Sequence, residues 1–279
     1  MAGGAPPVNA SGVVLTDRMA QEIALVTGAS SGIGEALARR IARDGRPVAL
    51  VARRRERLDA LAADIRQQHR VDAHVLPADL TAPGAVRALV DEVGRSGLVV
   101  DWLVNNAGFG TFGKFQDLPV ARELDEIRLN VEALVELTGR LLPGMVARGH
   151  GLVMNISSVG GFVPSPMMAT YTATKAFVLS FTETIGAELE GTGVRALCVC
   201  PGFTRTEFQS HVAVDTSQVP GMAWMSADEV ADEAVRAAAR GGVLVNGFMN
   251  RAMTTALKFV PRSLAVRGAA FLLKPEAGS

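Results

Sequence analysis

The chain has 279 residues, enough to bury a large core and to form one α/β domain as easily as two small ones. Basic and acidic residues number 28 each, so the formal net charge of zero gives no electrostatic case for binding nucleic acid. Hydrophobic residues make up 48% of the chain and charged residues 20%, which excludes a wholly disordered protein. Tyr171 is the only tyrosine, so no other tyrosine can take over its role.

The rest of the composition argues against secretion, membrane spanning and metal binding. Residues 1–20 are rich in Gly, Ala and Pro and lack the pattern of a secretion signal, so we expect a flexible leader there. No run of about 18 uncharged apolar residues occurs, so no spanning helix is expected. Cys198 and Cys200 are interpreted as buried apolar side chains in a reducing interior, and the histidines show no ligand spacing. We therefore expect a cytoplasmic protein without a metal site.

Apolar runs typical of strands alternate with segments of helical periodicity along the chain. In chain order, strands are predicted at 23–27, 48–52, 71–77, 101–104, 151–157, 194–200 and 243–245. Helices are predicted between them at 33–44, 55–68, 85–93, 119–148 (in one or two pieces), 169–190 and 227–239, the last capped by Ser226. This alternation predicts a single Rossmann-type domain over 21–246, with a doubly wound parallel sheet and helices on both faces. Ligands of such sheets bind beyond the carboxyl ends of the strands, so the segments after the strands are the candidate site.

A glycine-rich turn follows the first predicted strand. The stretch 27–34 reads Thr-Gly-Ala-Ser-Ser-Gly-Ile-Gly and leads into a helix. Glycines let the backbone approach a pyrophosphate, whose charge is met by the N-terminus of the helix. A tight structural turn is the alternative interpretation. The candidate cofactor contacts here are Gly28, Ser30, Ser31, Gly32, Ile33 and Gly34.

Arginines follow the second predicted strand. Ala52 stands where an acid would bind the ribose hydroxyls of NAD, and Arg53 comes next. A guanidinium suits the 2′-phosphate of NADP, so NADP is favoured over NAD. The alternative, a solvated basic start of a helix, is disfavoured by the helix dipole.

Polar residues also follow the third and fourth strands. Asp79, beside Leu80, can accept a hydrogen bond from an adenine amino group. The adjacent asparagines at 105 and 106 can tie neighbouring loops together through their side-chain amides. An ordinary turn is the alternative at both places. The candidate cofactor contacts after the fourth strand are Asn106, Ala107 and Gly108.

A serine, a tyrosine and a lysine follow the fifth strand. Tyr171 lies 13 residues after Ser158, and Lys175 follows at the i, i+4 position, which places the phenol and the ammonium on one face of a helix. A neighbouring cation favours the phenolate, so we expect the pKa of Tyr171 to be lowered from about 10 toward neutral. Such a phenol can serve as a general acid or base on a substrate oxygen.

Together these motifs resemble those of the short-chain dehydrogenase/reductase superfamily, in its compact, NADP-preferring form. The resemblance is strong over about residues 22–205 and rests on six features in family order: the stretch 27–34, the stretch 105–108, Asn130, Ser158, Tyr171 with Lys175, and Pro201-Gly202. It implies that Tyr171 is the general acid in carbonyl reduction and that Lys175 lowers its pKa and binds the nicotinamide ribose. Ser158 would orient the substrate oxygen, and Asn130 would hold a water that links Lys175 to solvent. Cofactor contacts are also implied for Pro201, Gly202, Thr204 and Thr206.

The loops after the fourth, fifth and sixth strands predict a lipophilic substrate. They are rich in aromatic residues and methionine, which suit an adaptable apolar pocket, and residues 203–225 are expected to form a lid. Packing of the loops or of an interface is the alternative. The candidate pocket residues are Phe109, Phe162, Met168, Phe203 and Trp224.

The C-terminal extension, residues 247–279, alternates apolar clusters with basic residues. It predicts either an amphipathic segment that touches a membrane or a helix pair packed on the domain or on a second subunit. The family resemblance implies a homodimer or homotetramer. Two rivals to an NADP-dependent enzyme remain open at this point. They are an enzyme that uses NAD and a non-catalytic NADP-binding redox sensor or scaffold.

Overall fold

The computed structural model describes residues 21–208, 214–215, 221–272 and 274–275. Within them, seven strands form one parallel sheet: β1 (Gln21–Thr27), β2 (Val48–Ala52), β3 (Ala73–Pro77), β4 (Leu98–Asn105), β5 (Gly151–Ile156), β6 (Val194–Cys200) and β7 (Gly242–Val245). Their order is β7-β6-β5-β4-β1-β2-β3, so the winding reverses between β1 and β4. The predicted doubly wound parallel sheet is confirmed, and the reversal creates a crevice at the carboxyl ends of these two strands.

Helices cover both faces of this sheet. In the described residues they are α1 (Gly32–Arg43), α2 (Arg55–His69), α3 (Ala85–Arg95), α4 (Val120–Ile127), α5 (Ala133–Arg148), α6 (Ala169–Glu188), α7 (Ala227–Ala237), α8 (Phe248–Leu257) and α9 (Arg262–Leu272). The predicted cap of α7 is confirmed, because the Ser226 hydroxyl accepts a hydrogen bond from Glu229 N at 3.1 Å. The Glu229 carboxylate in turn accepts one from Ser226 N at 2.7 Å, which completes a capping box.

The strands are continuous apolar runs because side chains on both faces are buried. In β1, Ala24 and Val26 face α1, α2 and α7, whereas Ile23 and Leu25 face α3, α5 and α6. Each face therefore has its own apolar core, as expected for a parallel sheet between two helical layers. A rigid sheet between two packed layers fixes the positions of the residues at the ends of its strands.

The long helix predicted at 119–148 occurs in two pieces. A π-helical turn, Arg128–Glu132, joins α4 to α5. π-turns are rare and often lie at functional sites. This one carries Asn130, which is 2% exposed, into the interior.

The predicted leader, residues 1–20, and the parts of the predicted lid at 209–213 and 216–220 lie outside the described residues. Both ends of the lid segment are described, and they pair with each other. Thr204–Arg205 and Met225–Ser226 form two short parallel strands, and Phe203 O accepts a hydrogen bond from Met225 N at 2.9 Å. The segment therefore leaves and rejoins the domain at the same place, beside the end of β6.

Candidate active site

The carboxyl ends of β1 and β4 are joined by a buried hydrogen-bond network. Thr27 Oγ1 donates to Val104 O at 3.2 Å and accepts from the backbone amides of Asn106 and Ala107, each at 3.0 Å. Asn106 Nδ2 donates to Thr27 O at 2.9 Å. The predicted tie between neighbouring loops is therefore present, and it holds the glycine-rich turn against β4.

The glycines of the turn are required by close backbone contacts. A Cβ on Gly34 would lie 2.4 Å from both Gly28 O and Asn106 Nδ2, and a Cβ on Gly28, whose φ is +68°, would lie 2.7 Å from Asn106 Nδ2. The helix α1 begins within the turn, with Ser31 as its N-cap, so the positive end of the helix lies at the turn. The Ser31 side chain makes no capping hydrogen bond to the first amides of the helix. Ser30, Gly32 and Ile33 complete a turn that fits a pyrophosphate.

Asn105 holds the same edge of the sheet in place through buried side-chain hydrogen bonds. Its Nδ2 donates to Thr138 Oγ1 at 3.1 Å and to Asn155 Oδ1 at 2.9 Å, and Asn155 Nδ2 donates to Thr182 Oγ1 at 3.0 Å. This buried chain of polar side chains connects β4 and β5 to α5 and α6. It fixes the two strand ends that carry the candidate cofactor and catalytic residues.

Arg54 is a candidate cofactor residue that the sequence reasoning missed. Its guanidinium donates to Ser30 Oγ at 3.0 Å and to Ser31 Oγ at 2.8 Å, so it lies directly on the glycine-rich turn. Arg53 is exposed, and its charge helps to lower the pKa of Asp79. Both arginines follow β2, and the sequence could not show which one faces the turn.

Asp79 and Leu80 follow β3. Asp79 Oδ1 accepts from Thr81 N at 3.0 Å and from Thr81 Oγ1 at 2.7 Å, and the Thr81 side-chain hydrogen bond is the main cause that lowers the pKa of Asp79. Leu80 is buried. The Asp79 carboxylate therefore stabilises a turn at the edge of the crevice and stays negatively charged there.

Ser158, Tyr171 and Lys175 meet at the carboxyl end of β5. Ser158 caps a short 3-10 turn, with its Oγ accepting from Gly160 N at 3.0 Å, and it hydrogen-bonds the Tyr171 side chain. Lys175 Nζ lies 5.8 Å from the centre of the Tyr171 ring. The adjacent Ser157 has a structural role, because its buried Oγ donates to Lys175 O at 2.7 Å.

The expected lowering of the Tyr171 pKa is wrong for this arrangement. Burial raises the pKa of Tyr171 to about 12, and the hydrogen bond with Ser158 offsets only part of the increase. Burial also lowers the pKa of Lys175 to about 8, while its Nζ donates to Ile156 O at 2.9 Å. At neutral pH the phenol therefore holds its proton, and Lys175 is the group that titrates closer to neutrality.

Asn130 holds the loop after β4 against α6. Its Nδ2 donates to Phe109 O at 2.9 Å and to Thr174 Oγ1 at 3.0 Å, and its Oδ1 accepts from Phe109 N at 3.2 Å. A Cβ on Gly108 would lie 2.9 Å from Asn130 Oδ1 and 3.5 Å from Lys175 Nζ. Asn130 therefore lies beside the lysine, and the water relay implied by the family resemblance stays a prediction.

The segment after β6 closes the other side of the crevice. Pro201 and Thr204 are buried, and Thr204 Oγ1 donates to Gly202 O at 3.1 Å. A Cβ on Gly32 would lie 3.1 Å from the Thr206 side chain, so this segment reaches the glycine-rich turn. A Cβ on Gly202 would lie 2.4 Å from Asn250 Nδ2, so α8 packs directly behind the segment.

The five candidate pocket residues lie at three places in the structure. The Phe203 and Trp224 rings lie 5.5 Å apart at the paired ends of the lid segment. Met168 is buried and Phe162 is partly buried on the approach to α6. The Phe109 ring, after β4, lies 3.9 Å from the guanidinium carbon of Arg122.

Phe208, one of the aromatic residues in the loop after β6, has its ring packed beside that of Tyr171. Its ring centre is 5.5 Å from that of Tyr171. A Cβ on Gly110 would lie 2.8 Å from Tyr171 Cδ2 and 3.2 Å from Phe208 Cζ. Glycine at position 110 therefore leaves room for the two rings to meet.

Two buried glutamates beside the site were also missed. Glu126 is fully buried, its Oε2 accepts from Thr111 N at 3.1 Å and Thr111 Oγ1 at 3.0 Å, and burial raises its pKa to about 7. Glu123 accepts a hydrogen bond from Thr170 Oγ1, next to Tyr171. One carboxylate oxygen of each glutamate has no hydrogen-bond partner within the described residues. Sequence alone assigns such helical glutamates to solvent, so no signal pointed to them.

The described part of the chain contains no group of three or more His, Cys, Asp or Glu side chains that could hold a metal ion. None of the helices in that part is long and apolar enough to cross a membrane.

A family model described as short chain dehydrogenase matches residues 22–216. Sulfoacetaldehyde reductase 2 of Chromohalobacter salexigens is 41% identical over 189 residues, which cover 67% of this chain and 74% of that protein. The very-long-chain 3-oxoacyl-CoA reductase of Anas platyrhynchos is 36% identical over 190 residues, which cover 66% of this chain and 60% of that protein.

A solved short-chain dehydrogenase from Sphingobium yanoikuyae, in complex with NADPH, has a similar fold. Its TM-score is 0.77 at 36% identity, and the match covers 88% of this chain and 94% of that one. Other similar structures are complexed with NADP or with NADH. The cofactor of this crevice is therefore a nicotinamide dinucleotide.

Proposed function

Because the chain belongs to the short-chain dehydrogenase/reductase family of oxidoreductases, we propose that it reduces the carbonyl group of a lipophilic substrate with NADPH, or oxidises the corresponding secondary alcohol. The observation that carries this proposal is the cluster of Ser158, Tyr171 and Lys175 beside the glycine-rich turn. The catalytic domain is residues 21–246, and the C-terminal extension packs on it through α8.

Tyr171 serves as the general acid in the reduction. NADPH supplies the hydride when it is bound. A phenol whose pKa is about 12 holds its proton at neutral pH and is ready to transfer it to the carbonyl oxygen, which Ser158 orients. Lys175, whose pKa is about 8, is positioned to favour the phenolate left after the transfer. Asn130 positions Lys175 by holding the loop that contains Gly108.

NADP is proposed over NAD because guanidinium groups border the glycine-rich turn. Arg54 bonds Ser30 and Ser31, and Arg53 lies next to it at the end of β2. Guanidinium groups bind phosphate through paired, charge-assisted hydrogen bonds. No carboxylate follows β2 to bind the ribose hydroxyls that NAD presents, since the chain has Ala52 and then three arginines there.

A lipophilic substrate is proposed because aromatic side chains lie beside Tyr171 and at the ends of the lid segment. The Phe208 ring packs at a tilt against that of Tyr171, and Phe203 and Trp224 pair at the ends of the lid segment. One similar protein is named for very-long-chain acyl substrates and another for the small polar sulfoacetaldehyde, so the two substrate classes must be distinguished by experiment.

The experiment is an NADPH-oxidation screen against ketones and aldehydes graded by chain length, repeated with NADH. We expect kcat/KM to rise with the length of the apolar chain and to be higher with NADPH. Faster turnover of short polar aldehydes would overturn the substrate class, and a preference for NADH would overturn the cofactor. Absence of turnover across the whole panel would favour the rival redox sensor.

A homodimer formed through α4 and α5 is proposed as the working unit. Large apolar side chains are exposed along these helices, including Val120 at 65%, Leu124 at 45%, Ile127 at 37% and Val135 at 38%. Exposed apolar side chains grouped on one surface are typical of subunit interfaces. Light scattering on the full chain tests this, and a monomer at micromolar concentration would contradict it.

The C-terminal helices are proposed to dock on an anionic lipid surface. From residue 247 to residue 275 the chain has five basic residues and no acidic one. Phe248 and Phe259 are 75% and 85% exposed, so aromatic side chains and positive charge share α8 and its C-terminal end. Such a combination favours the headgroup region of an anionic membrane, reached by a protein of the cytoplasm. Sedimentation with phosphatidylserine vesicles tests the docking.

A further inference from the structure

Three consecutive residues after β6 lie across the candidate cofactor crevice. Thr206 lies against the glycine-rich turn, with its Cβ 3.1 Å from where a Cβ on Gly32 would be. Phe208 lies against the Tyr171 ring, 5.5 Å between centres. Glu207, between them, reaches the start of α2. This segment therefore touches both the phosphate end and the chemical end of the crevice.

Glu207 bridges two arginines. Its Oε2 accepts from Arg54 Nη1 at 2.9 Å, and its Oε1 accepts from Arg57 Nη1 at 2.5 Å. The two guanidinium groups lower the pKa of Glu207 to about 2, so its carboxylate is ionised at neutral pH. All three side chains are 40–50% exposed, so solvent screens the pairs and each can exchange partners.

Arg54 therefore has two sets of partners at once. Its Nη2 donates to the hydroxyls of Ser30 and Ser31 in the glycine-rich turn, and its Nη1 donates to the Glu207 carboxylate. A phosphate brought to this guanidinium must displace the carboxylate or share the group with it. The carboxylate and the phosphate are both anions, so sharing is opposed by repulsion.

We propose that Glu207 is a specificity-determining residue, which competes with the 2′-phosphate of NADP for Arg54 and Arg57 and so moderates the preference for NADP over NAD. This inference rests on the proposed use of NADP. A 2′-phosphate carries more charge than a carboxylate and has three acceptor oxygens, so it displaces Glu207. A ribose without the phosphate leaves the bridge intact. The bridge therefore weakens the binding of NADP and leaves that of NAD unchanged.

The test is titration calorimetry of the full chain with adenosine 2′,5′-bisphosphate and with adenosine 5′-monophosphate. In Glu207→Gln we expect the bisphosphate to bind about five-fold tighter, in line with the loss of two exposed ion pairs, and the monophosphate to change less than about two-fold. Glu207→Ala gives the same pattern. The matched control is Glu56→Gln, which removes an equal charge from the first turn of α2, and it should change both affinities less than about two-fold.

Unchanged bisphosphate binding in Glu207→Gln would overturn the proposal. Weaker binding of both nucleotides would also overturn it, because Glu207 would then contribute to nucleotide binding instead of competing with the phosphate. Thermal unfolding of each variant shows whether it is folded. Neither probe contains nicotinamide, so the result is independent of whether the protein reduces a carbonyl, which the NADPH-oxidation screen decides.

Discussion

The carboxyl edge of the sheet and the C-terminal helices use polar and apolar side chains in opposite ways. At the edge, Asn105 and Asn155 are 4% and 0% exposed, and they bond to each other and to threonines on α5 and α6. On α8 and at its C-terminal end, Phe248 and Phe259 are 75% and 85% exposed. Polar groups are buried where the chemistry is proposed, and apolar groups are exposed on the C-terminal helices.

This difference shows what each region is built to do. A buried network of hydrogen-bonded polar side chains is rigid, since breaking any one bond leaves an unpaired polar group in a medium of low dielectric. Hydride and proton transfer need that fixed geometry. An exposed apolar surface adds no stability to the isolated chain. It contributes favourable free energy only when a partner or a membrane covers it. Substitutions at the carboxyl edge of the sheet should therefore change the free energy of unfolding strongly. Substitutions on the C-terminal helices should mainly change the binding of a partner or a membrane.

The largest effect is expected at the glycine-rich turn. In Gly34→Ala the new Cβ would lie 2.4 Å from Gly28 O and Asn106 Nδ2, and neither atom can move without breaking the tie to β4. We expect the free energy of unfolding to fall by about 3 kcal/mol, as measured by urea unfolding, and NADPH binding to be lost.

Gly94→Ala is the matched control. Gly94 lies inside α3, and a Cβ added there would have no other atom within 4 Å. Alanine there should leave NADPH binding unchanged and stabilise the protein by up to about 1 kcal/mol. Equal effects of the two substitutions would show that the turn is not a rigid part of the molecule.

A smaller effect, dependent on pH, is expected at Glu126. Its folded pKa of about 7 lies above the usual 4.5, so the stability that its protonated form gives is complete below about pH 4.5 and is lost as pH rises through 7. Glutamine is neutral throughout. The free energy of unfolding of Glu126→Gln relative to the wild type should therefore rise by roughly 2–3 kcal/mol between pH 4.5 and pH 8.5, measured by urea unfolding.

Burial is the main cause that raises the pKa of Glu126, and the hydrogen bonds from Thr111 lower it. Among charged groups, Glu123 raises this pKa and Lys175 lowers it. The control is Glu132→Gln, at an exposed position in the π-helical turn, whose effect should vary with pH by less than about 0.5 kcal/mol. A pH-independent difference for Glu126→Gln would contradict the raised pKa, because it would mean that Glu126 has the same pKa in the folded and the unfolded protein.

The smallest effect on the fold is expected at the C-terminal surface. Phe259→Ser should change the free energy of unfolding by less than about 0.5 kcal/mol, because the side chain is 85% exposed. It should weaken binding to phosphatidylserine vesicles about ten-fold in a sedimentation assay. Phe115→Ser, at a 60% exposed position far along the chain, is the control and should bind like the wild type. If Phe259→Ser instead changes only the oligomeric state, the surface is covered by a second copy of the chain.

The fold was largely predictable because every central strand is a continuous apolar run that ends at a polar or glycine-rich turn. Strands β2 and β6 begin and end at the predicted residues, and the order of motifs placed Ser158, Tyr171 and Lys175 at one edge. The ends of strands are less predictable than their centres, and β3 begins two residues later than predicted.

The electrostatics of the site were not predictable from spacing. The i, i+4 relation indicates that Tyr171 and Lys175 share a face of α6, but burial decides their pKa values, and burial depends on Phe208 and on the whole sheet. Arg54 rather than Arg53 faces the glycine-rich turn because of the local backbone at the end of β2. The burial of Glu126 on α4, and the π-helical turn that buries Asn130, have no signal in the sequence.

The central claim is that Tyr171 gives its proton to the substrate oxygen. It is tested most directly by measuring kcat for carbonyl reduction in Tyr171→Phe, together with the Kd of NADPH from its fluorescence. We expect kcat to fall by about 10³-fold while the Kd changes less than about three-fold, because the substitution removes only the hydroxyl. A kcat within about ten-fold of the wild type, with NADPH still bound, would contradict the claim.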